Sequence, residues 1–333
     1  MLILLTYKTD VGAEKFVGAS KYLSAGIPAV PCIVRGFEVF EVPKFLPTGA
    51  GPHVWSLVEK TGLTTPQLVQ MVADQTGADQ RDIGYAGLKD KHARTVQWLS
   101  SPKLFASTSR YRVIVAKPSR RKLRPGTLHG NWFIITLETN EPQKVIDVIK
   151  LIEPAVPNLF GPQRFGNRRN NHEIGRLLVN GRKRDAQRKM KHARIPLTRR
   201  FYRFMEDAYL SYLFNRIVNE RIPDVKLHSY DIPSRYGPTA PLFGRKTMFA
   251  GGRQGEIERA VLEAEGITLS SFRWDGGRRP MFVPLKGLEY RATSNSIKLK
   301  FFLPKGSYAT SVLREIAKTN FTSPSLSSFC GVA

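Results

Sequence analysis

The chain is short of several things, and each shortage removes a class of protein. Only two of its 333 residues are cysteines, Cys32 and Cys330. Two thiols cannot build a disulfide framework, and their separation fits no zinc-ligand spacing. The six histidines are dispersed; His92, His129 and His172 have neither a Cys-x-x-Cys nor a His-x-x-x-His partner. A metal centre is therefore not expected, and the cysteine usage points to a reducing cytoplasm. Long apolar runs are missing too, since nothing approaches the roughly 18 residues that a spanning helix needs. The opening Met1-Leu2-Ile3-Leu4-Leu5 is too short for a signal h-region and follows no basic residue. No G-x-x-x-x-G-K-[ST] occurs, no G-x-G-x-x-G opens a helix, and there is no serine nucleophile elbow. These absences count against ATPases, dehydrogenases and hydrolases.

Acidic residues are the last shortage. Twenty-seven Asp and Glu face 52 Lys and Arg, a formal charge of +25 and a pI near 10.3. A charge of that size repels itself unless an anion shares the burden, and nucleic acid is the commonest such anion. A solvated basic surface and a membrane-facing patch are the weaker alternatives. Otherwise the composition, 41% hydrophobic and 24% charged, is that of a globular protein. The length predicts two domains, or one large domain with an insertion.

What is present reads as mixed strands and helices. Residues 34–42 predict a strand, with Phe37, Val39 and Phe40 among β-favouring neighbours. Thr65 and Pro66 start a helix whose Leu68, Met71 and Val72 share a face and which stops at Gly77. Residues 111–115 and 131–137 predict two more strands, and 142–152 a helix with Val145, Ile146, Ile149 and Ile152 on one side. From 164 to 203 the chain is dense in Arg and Lys, opposed only by Glu173 and Asp185. A helix carrying Met205, Ala208, Tyr209, Tyr212, Leu213 and Ile217 follows, and this stripe is read as core. Beyond it, Gly251-Gly252-Arg253-Gln254-Gly255 is expected to be a loop, with a short helix over 257–264. Ile297, Leu299, Phe301 and Leu303 alternate with Lys298, Lys300 and Phe302, and 306–316 reads as helical. Strands on both sides of a helical, basic middle predict a mixed α+β domain interrupted by an insertion.

The sharpest stretch is Gly84-Tyr85-Ala86-Gly87-Leu88-Lys89-Asp90-Lys91-His92-Ala93-Arg94-Thr95-Val96-Gln97-Trp98. Asp90 lies between two lysines, after a flexible Gly-Leu step and before a strand. Flanking cations favour the ionised carboxylate that a nucleophile or general base needs. On spacing alone, a solvated surface turn is the better explanation, because Lys-Asp-Lys tripeptides are common.

This stretch resembles the signature of the TruD family of pseudouridine synthases, a G-x-K-D-[KR] core around the catalytic aspartate. Four further segments resemble the family in the same order. They are Lys122-Leu123-Arg124 with Gly130-Asn131-Trp132-Phe133; Val156-Pro157-Asn158-Leu159-Phe160-Gly161-Pro162-Gln163-Arg164-Phe165-Gly166; Gly276-Gly277-Arg278-Arg279-Pro280; and Leu303-Pro304-Lys305-Gly306-Ser307-Tyr308-Ala309-Thr310 with the residues that follow it to Glu315.

The resemblance implies a mostly antiparallel sheet flanked by helices, with an inserted TRUD domain. It divides the chain into a catalytic domain of 1–154 and 276–333 and an RNA-binding insert of 155–275. It implies that Asp90 is catalytic and that Asn131 and Phe133 contact the target nucleotide. Phe37 matches an N-terminal substrate-contacting Phe. Tyr308 stands where bacterial members have Phe, so its hydroxyl is a departure. A strand phenylalanine is more often core than site, so Phe37 and Phe133 also carry that plain reading. Lys89, Lys91, Arg121, Lys122, Arg124 and Arg164 are the expected phosphate contacts, because structured RNA is held mainly through phosphate and sugar.

The implied reaction isomerises a uridine of RNA, tRNA in the first place and uridine 13 among bacterial members, with no cofactor. The uridine leaves its stack at a cost of a few kcal/mol, which the cations offset. The alternative from another class is a non-catalytic RNA-binding or RNA-chaperone protein on the same scaffold.

Overall fold

The computed structural model describes residues 16–166 and 168–318. Met1 to Leu5 and Cys330 lie outside the described residues. In chain order the strands and helices are β1 (Ile33–Pro43), β2 (His53–Lys60), α1 (Thr65–Thr76), β3 (Gly84–Tyr85), β4 (Arg94–Ser101), β5 (Tyr111–Ser119), β6 (Leu128–Glu138), α2 (Pro142–Ile152) and β7 (Val156–Pro157). They continue with α3 (Asn171–Val179), α4 (Lys183–His192), α5 (Arg199–Arg221), β8 (Pro233–Ser234), β9 (Gly237–Leu242) and α6 (Gly252–Glu265). The last are β10 (Gly277–Pro280), β11 (Phe282–Val283), β12 (Lys286–Ala292), β13 (Ser296–Pro304) and α7 (Ala309–Ala317).

The chain divides into two compact units. Among the described residues one comprises 32–142 and 286–306; the other holds 16–31, 143–285 and 307–318. The units therefore break the chain at different places from the expected domains: 16–31, 143–154, 276–285 and 307–318 fall in the second unit.

The first unit is built on one eight-stranded sheet. Its path runs β12-β13-β6-β1-β4-β2-β5, with β3 paired to β4. Every neighbouring pair is antiparallel except β1 with β4. The fold class is thus the mixed α+β, mostly antiparallel architecture expected from the sequence.

Side-chain alternation fixes which residues share a face. In register across the strands, Glu41 faces Asn131 and Asn131 faces Leu303, while Val39 faces both Phe133 and Thr95. Lys60 of β2 lies opposite Thr95 and Tyr111. One sheet face therefore carries Phe37, Val39, Glu41, Lys60, Thr95, Gln97, Asn131 and Phe133.

Helix α1 packs Leu68, Val69, Val72 and Ala73 against Val58, Leu99 and Tyr111 on that face. It starts where Thr64 and Gln67 close a reciprocal capping box. It ends at Gly77, whose φ of 67° suits glycine.

The second unit centres on α5, the stripe read as core from the sequence. Ala208, Tyr209, Leu213 and Ile217 are fully buried there, with Phe160, Phe165, Phe243, Phe272 and Phe282 in the same cluster. Strands β10-β9-β8 and β11-β7 form two small sheets.

The structure corrects one element. The expected loop at 251–255 is the first turn of α6, with Gly251 as its N-cap. Gln254 is buried there, donating to Glu258 at 3.0 Å and accepting from Arg221 at 3.1 Å. Tertiary hydrogen bonds override the weak helix propensity of three glycines.

Helices α3 and α4 occupy part of the basic run. In α4, only Ala186 and Met190 are buried, one turn apart, so the helix carries little apolar pattern to read. No helix among the described residues is long and apolar enough to cross a membrane.

Candidate active site

The site lies in the first unit and begins at the turn carrying Asp90, which enters β4. Four hydrogen-bonded anchors hold this turn. Its carboxylate Oδ1 accepts the His92 N–H at 2.9 Å, an Asx-type turn that fixes the side chain against its own backbone. The Lys91 carbonyl accepts from Gly62 N–H at 2.8 Å. The Lys89 N–H donates to Thr65 Oγ1 at 2.9 Å, and that hydroxyl donates onward to Gln97 Oε1 at 3.1 Å. Finally, Lys60 Nζ donates to the Asp90 carbonyl at 2.7 Å and to the Leu63 carbonyl at 2.6 Å. Three of these anchors come from 60–65, the link between β2 and α1.

Lys89 joins the turn to the sheet. Its ammonium lies 2.8 Å from Glu41 Oε2, with the two side chains 4% and 0% exposed. It also donates to Asn131 Oδ1 at 2.7 Å, which fixes the amide orientation, since only the oxygen can accept from an ammonium. Glu41 Oε1 accepts the Trp98 N–H at 3.2 Å. A buried ion pair of this kind positions groups more than it stabilises the fold, because desolvation consumes most of its attraction.

Lys89 was expected among the phosphate contacts. The structure places it beneath the surface, with its charge committed to Glu41 and Asn131. It holds the site together and is not free to meet a phosphate.

Asn131 and Phe133 project from β6 on the same face. The backbone just before Asn131 is unusually close to β13: a Cβ on Gly130 would sit 2.1 Å from the Leu303 carbonyl. Phe133 stacks on Phe301 at 5.8 Å between centroids and meets Phe37 edge-on at 6.0 Å. Phe133 is buried and Phe37 half-buried, so the pair belongs to the core, with Phe37 at its edge.

Burial sets the titration of two neighbours. It pushes the Lys60 ammonium down to about 8, with Lys89 adding to the shift and Asp90 opposing it. It also lowers His92, again against the pull of Asp90.

The basic segment near the site is the loop 120–127. Gly126 N–H donates to the Ala86 carbonyl at 2.7 Å, and the Thr127 carbonyl accepts from Lys44 N–H at 3.1 Å. Arg121 lies over the half-exposed ring of Phe45 at 5.2 Å, with Lys44 over the same ring at 5.5 Å. Lys122 contacts the Arg81 carbonyl and lies 3.9 Å from Asp82. Arg124 is exposed and Lys91 half-buried.

Arg164 and Tyr308 belong to the second unit. Arg164 lies over Phe160 and Phe204 at 5.4 and 5.9 Å. The Tyr308 ring is 6.2 Å from Phe160. Arg279 covers the same Phe160 at 4.3 Å and donates to Asn158 Oδ1 at 2.7 Å. Burial pushes Arg279 down to about 10.

Sequence reasoning named Asp90, Lys89, Asn131, Phe37 and Phe133 but missed Glu41, Lys60, Thr65 and Gln97. Glu41 had a readable signal, since it continues the inward positions of Phe37 and Val39. Lys60 had none, because its partners are main-chain carbonyls. Among the described residues no group of three or more His, Cys, Asp or Glu could hold a metal ion.

A carboxylate on an anchored turn, next to a buried ammonium that reaches an amide beside an aromatic pair, makes this cluster the candidate active site. Comparison with known proteins gives the chain its family. The family described as "tRNA pseudouridine synthase D (TruD)" matches residues 33–194 and 233–316. A protein named tRNA pseudouridine synthase D from Anaeromyxobacter dehalogenans (strain 2CP-C) is 35% identical over 332 residues, covering 86% of this chain and 92% of that protein. A namesake from Thermus thermophilus is 34% identical over 340 residues, covering 89% and 92%. A solved structure titled as the putative tRNA pseudouridine synthase D from Methanosarcina mazei superposes with a TM-score of 0.72 at 24% identity, covering 91% of this chain and 97% of that one; it shows the fold. The chain belongs to the TruD family of tRNA pseudouridine synthases.

Proposed function

We propose that this protein isomerises a uridine of tRNA to pseudouridine, at position 13, with Asp90 acting at the sugar. In that reaction the N1–C1′ bond breaks, the uracil turns and C5 bonds to C1′. The C5 proton leaves and N1 regains one, so no net oxidation occurs. The observation that carries the reading is the chain Asp90 turn–Lys89–Asn131: a 2.7 Å bond ties the residue beside the carboxylate to an amide on the strand face that also bears Phe133. With its oxygen committed to Lys89, the Asn131 amide presents its NH2 as a donor for a uracil carbonyl. Phe133 and Phe37 supply an apolar wall against which a detached base can turn without escaping.

Lys91, Arg121, Lys122 and Arg124 serve as phosphate contacts beside the target, with Arg164 contributing from the second unit. Lys89 is no longer assigned there. In this reading the segment 155–275, with its basic α3 and α4, selects the RNA, and Tyr308 contacts the nucleotide.

The test is carbodiimide mapping of pseudouridine in transcribed tRNAs treated with wild type or Asp90→Asn. A new stop at uridine 13 with wild type only is the expected result. A stop elsewhere would replace the position and keep the chemistry. Tight binding with no stop at all would favour a non-catalytic RNA-binding protein, and turnover by Asp90→Asn would remove Asp90 from the reaction.

A further inference from the structure

Lys60 is the most deeply buried lysine of the first unit, 2% exposed at the end of β2. Among the described residues no carboxylate lies within ion-pair distance of it. A buried ammonium with no carboxylate in contact is costly to desolvate. What Lys60 has instead are two main-chain carbonyls, those of Leu63 at 2.6 Å and Asp90 at 2.7 Å. One belongs to the link into α1 and the other to the residue carrying the reactive carboxylate. Its charge is thereby committed to holding two loops together at the point where the site needs them fixed.

We infer that Lys60 is a positioning residue for the reaction: its ammonium clamps the backbone of the Asp90 turn against the 60–65 link, so that the carboxylate keeps its place as the nucleotide enters. This rests on the assignment of Asp90 given above. The groups facing Lys60 are Asp90, Lys89 and His92 from the turn, Thr95 across β4 and Tyr111 across β5. Asp90 favours its charged form; Lys89 and burial oppose it.

The clamp is sensitive to pH. The proton leaves Lys60 at about 8, well below an ordinary lysine. The neutral amine keeps two N–H donors but loses the charge that strengthens both bonds. Turnover therefore declines as pH rises through about 8, while tRNA affinity does not follow it.

The experiment uses the full chain and a transcribed tRNA. It measures kcat and KM from about pH 7 to about pH 9 for wild type, Lys60→Met, Lys60→Arg and Asp90→Asn, a range that brackets the Lys60 titration. Lys60→Met is expected to lower kcat by on the order of tenfold to a hundredfold, as small misplacements of a reacting group do, with KM and tRNA affinity little changed. Lys60→Arg, charged throughout the range, is expected to restore part of kcat and to lack the alkaline decline.

A folded Lys60→Met with wild-type kcat would overturn the inference. So would a loss confined to KM, or a Lys60→Arg profile that declines at the wild-type pH. If Lys60→Met does not fold, Lys60→Gln takes its place, with the same expected loss of kcat at little-changed KM, and a wild-type kcat in that folded variant would equally overturn the inference. Turnover by Asp90→Asn would instead defeat the assignment of Asp90, an outcome separate from any result at Lys60.

Discussion

Around Asp90, charge is used for geometry. Lys89 and Glu41 are both buried and lie 2.8 Å apart, and Lys89 is the only described side chain joining the turn to Asn131. Removing one member leaves the other charge buried and alone. Glu41→Gln and Lys89→Met are each expected to destabilise the protein by about 3–5 kcal/mol, whereas the double change Glu41→Leu/Lys89→Met recovers most of that loss. Turnover should not recover in the double variant, because Asn131 has lost the partner that orients it. Urea unfolding and single-turnover kinetics on the same three proteins check both statements. A double variant as active as wild type would show that the pair is structural only.

Among the elements, β6 decides the most. It pairs with β1 on one side and β13 on the other, so the Asn131 position is set by strands from both ends of the first unit's chain. Gly130 makes that closeness possible, its missing Cβ leaving room for the Leu303 carbonyl and the Phe302 ring. Gly130→Ala is expected to cost about 1–3 kcal/mol by overpacking and to lower kcat further by shifting Asn131 away from Lys89. Thermal melts with kinetics would check this, and an unperturbed variant would show that β13 yields easily.

The longer elements were readable in part, while β2, which carries Lys60, was not among the strands expected. Residues 131–137, 142–152 and 297–303 announced β6, α2 and β13 through periodicity. What periodicity could not show was that α6 starts at Gly252, since one of the two side-chain bonds of Gln254 in its first turn comes from Arg221, far away in sequence. Nor could it show α4, whose polarity hides two buried residues among its exposed and half-exposed ones.

For the whole molecule, the +25 charge is the dominant quantity, and part of it sits on one loop near the Asp90 turn. Arg121 and Arg124 stand on the loop that Gly126 ties to Ala86, beside the Asp90 turn. If each meets a phosphate, Arg121→Ala/Arg124→Ala weakens tRNA binding and lowers the slope of log affinity against log salt by about 1.5. At saturating tRNA, kcat should stay within about twofold of wild type, since phosphate binding made equally in the ground and transition states does not change kcat. Filter binding across a salt series would show this, and an unchanged slope would place the phosphate contacts elsewhere.

The sequence by itself determined the class of partner, the strands β1, β5, β6 and β13, and the identity of the motif residues. Net charge, alternation and short-range spacing are local properties that survive without a fold. It also carried Asp90, Asn131 and Phe133 as candidates, because their resemblance lies in contiguous residues. Only the tertiary structure decided that Lys89 faces inward to Glu41 and Asn131, and that Lys60 serves the turn through main-chain carbonyls. Those assignments depend on which face of the sheet a side chain occupies and on which distant loop closes over it. Both follow from strand register and from packing between segments far apart in the chain, and no local pattern encodes them.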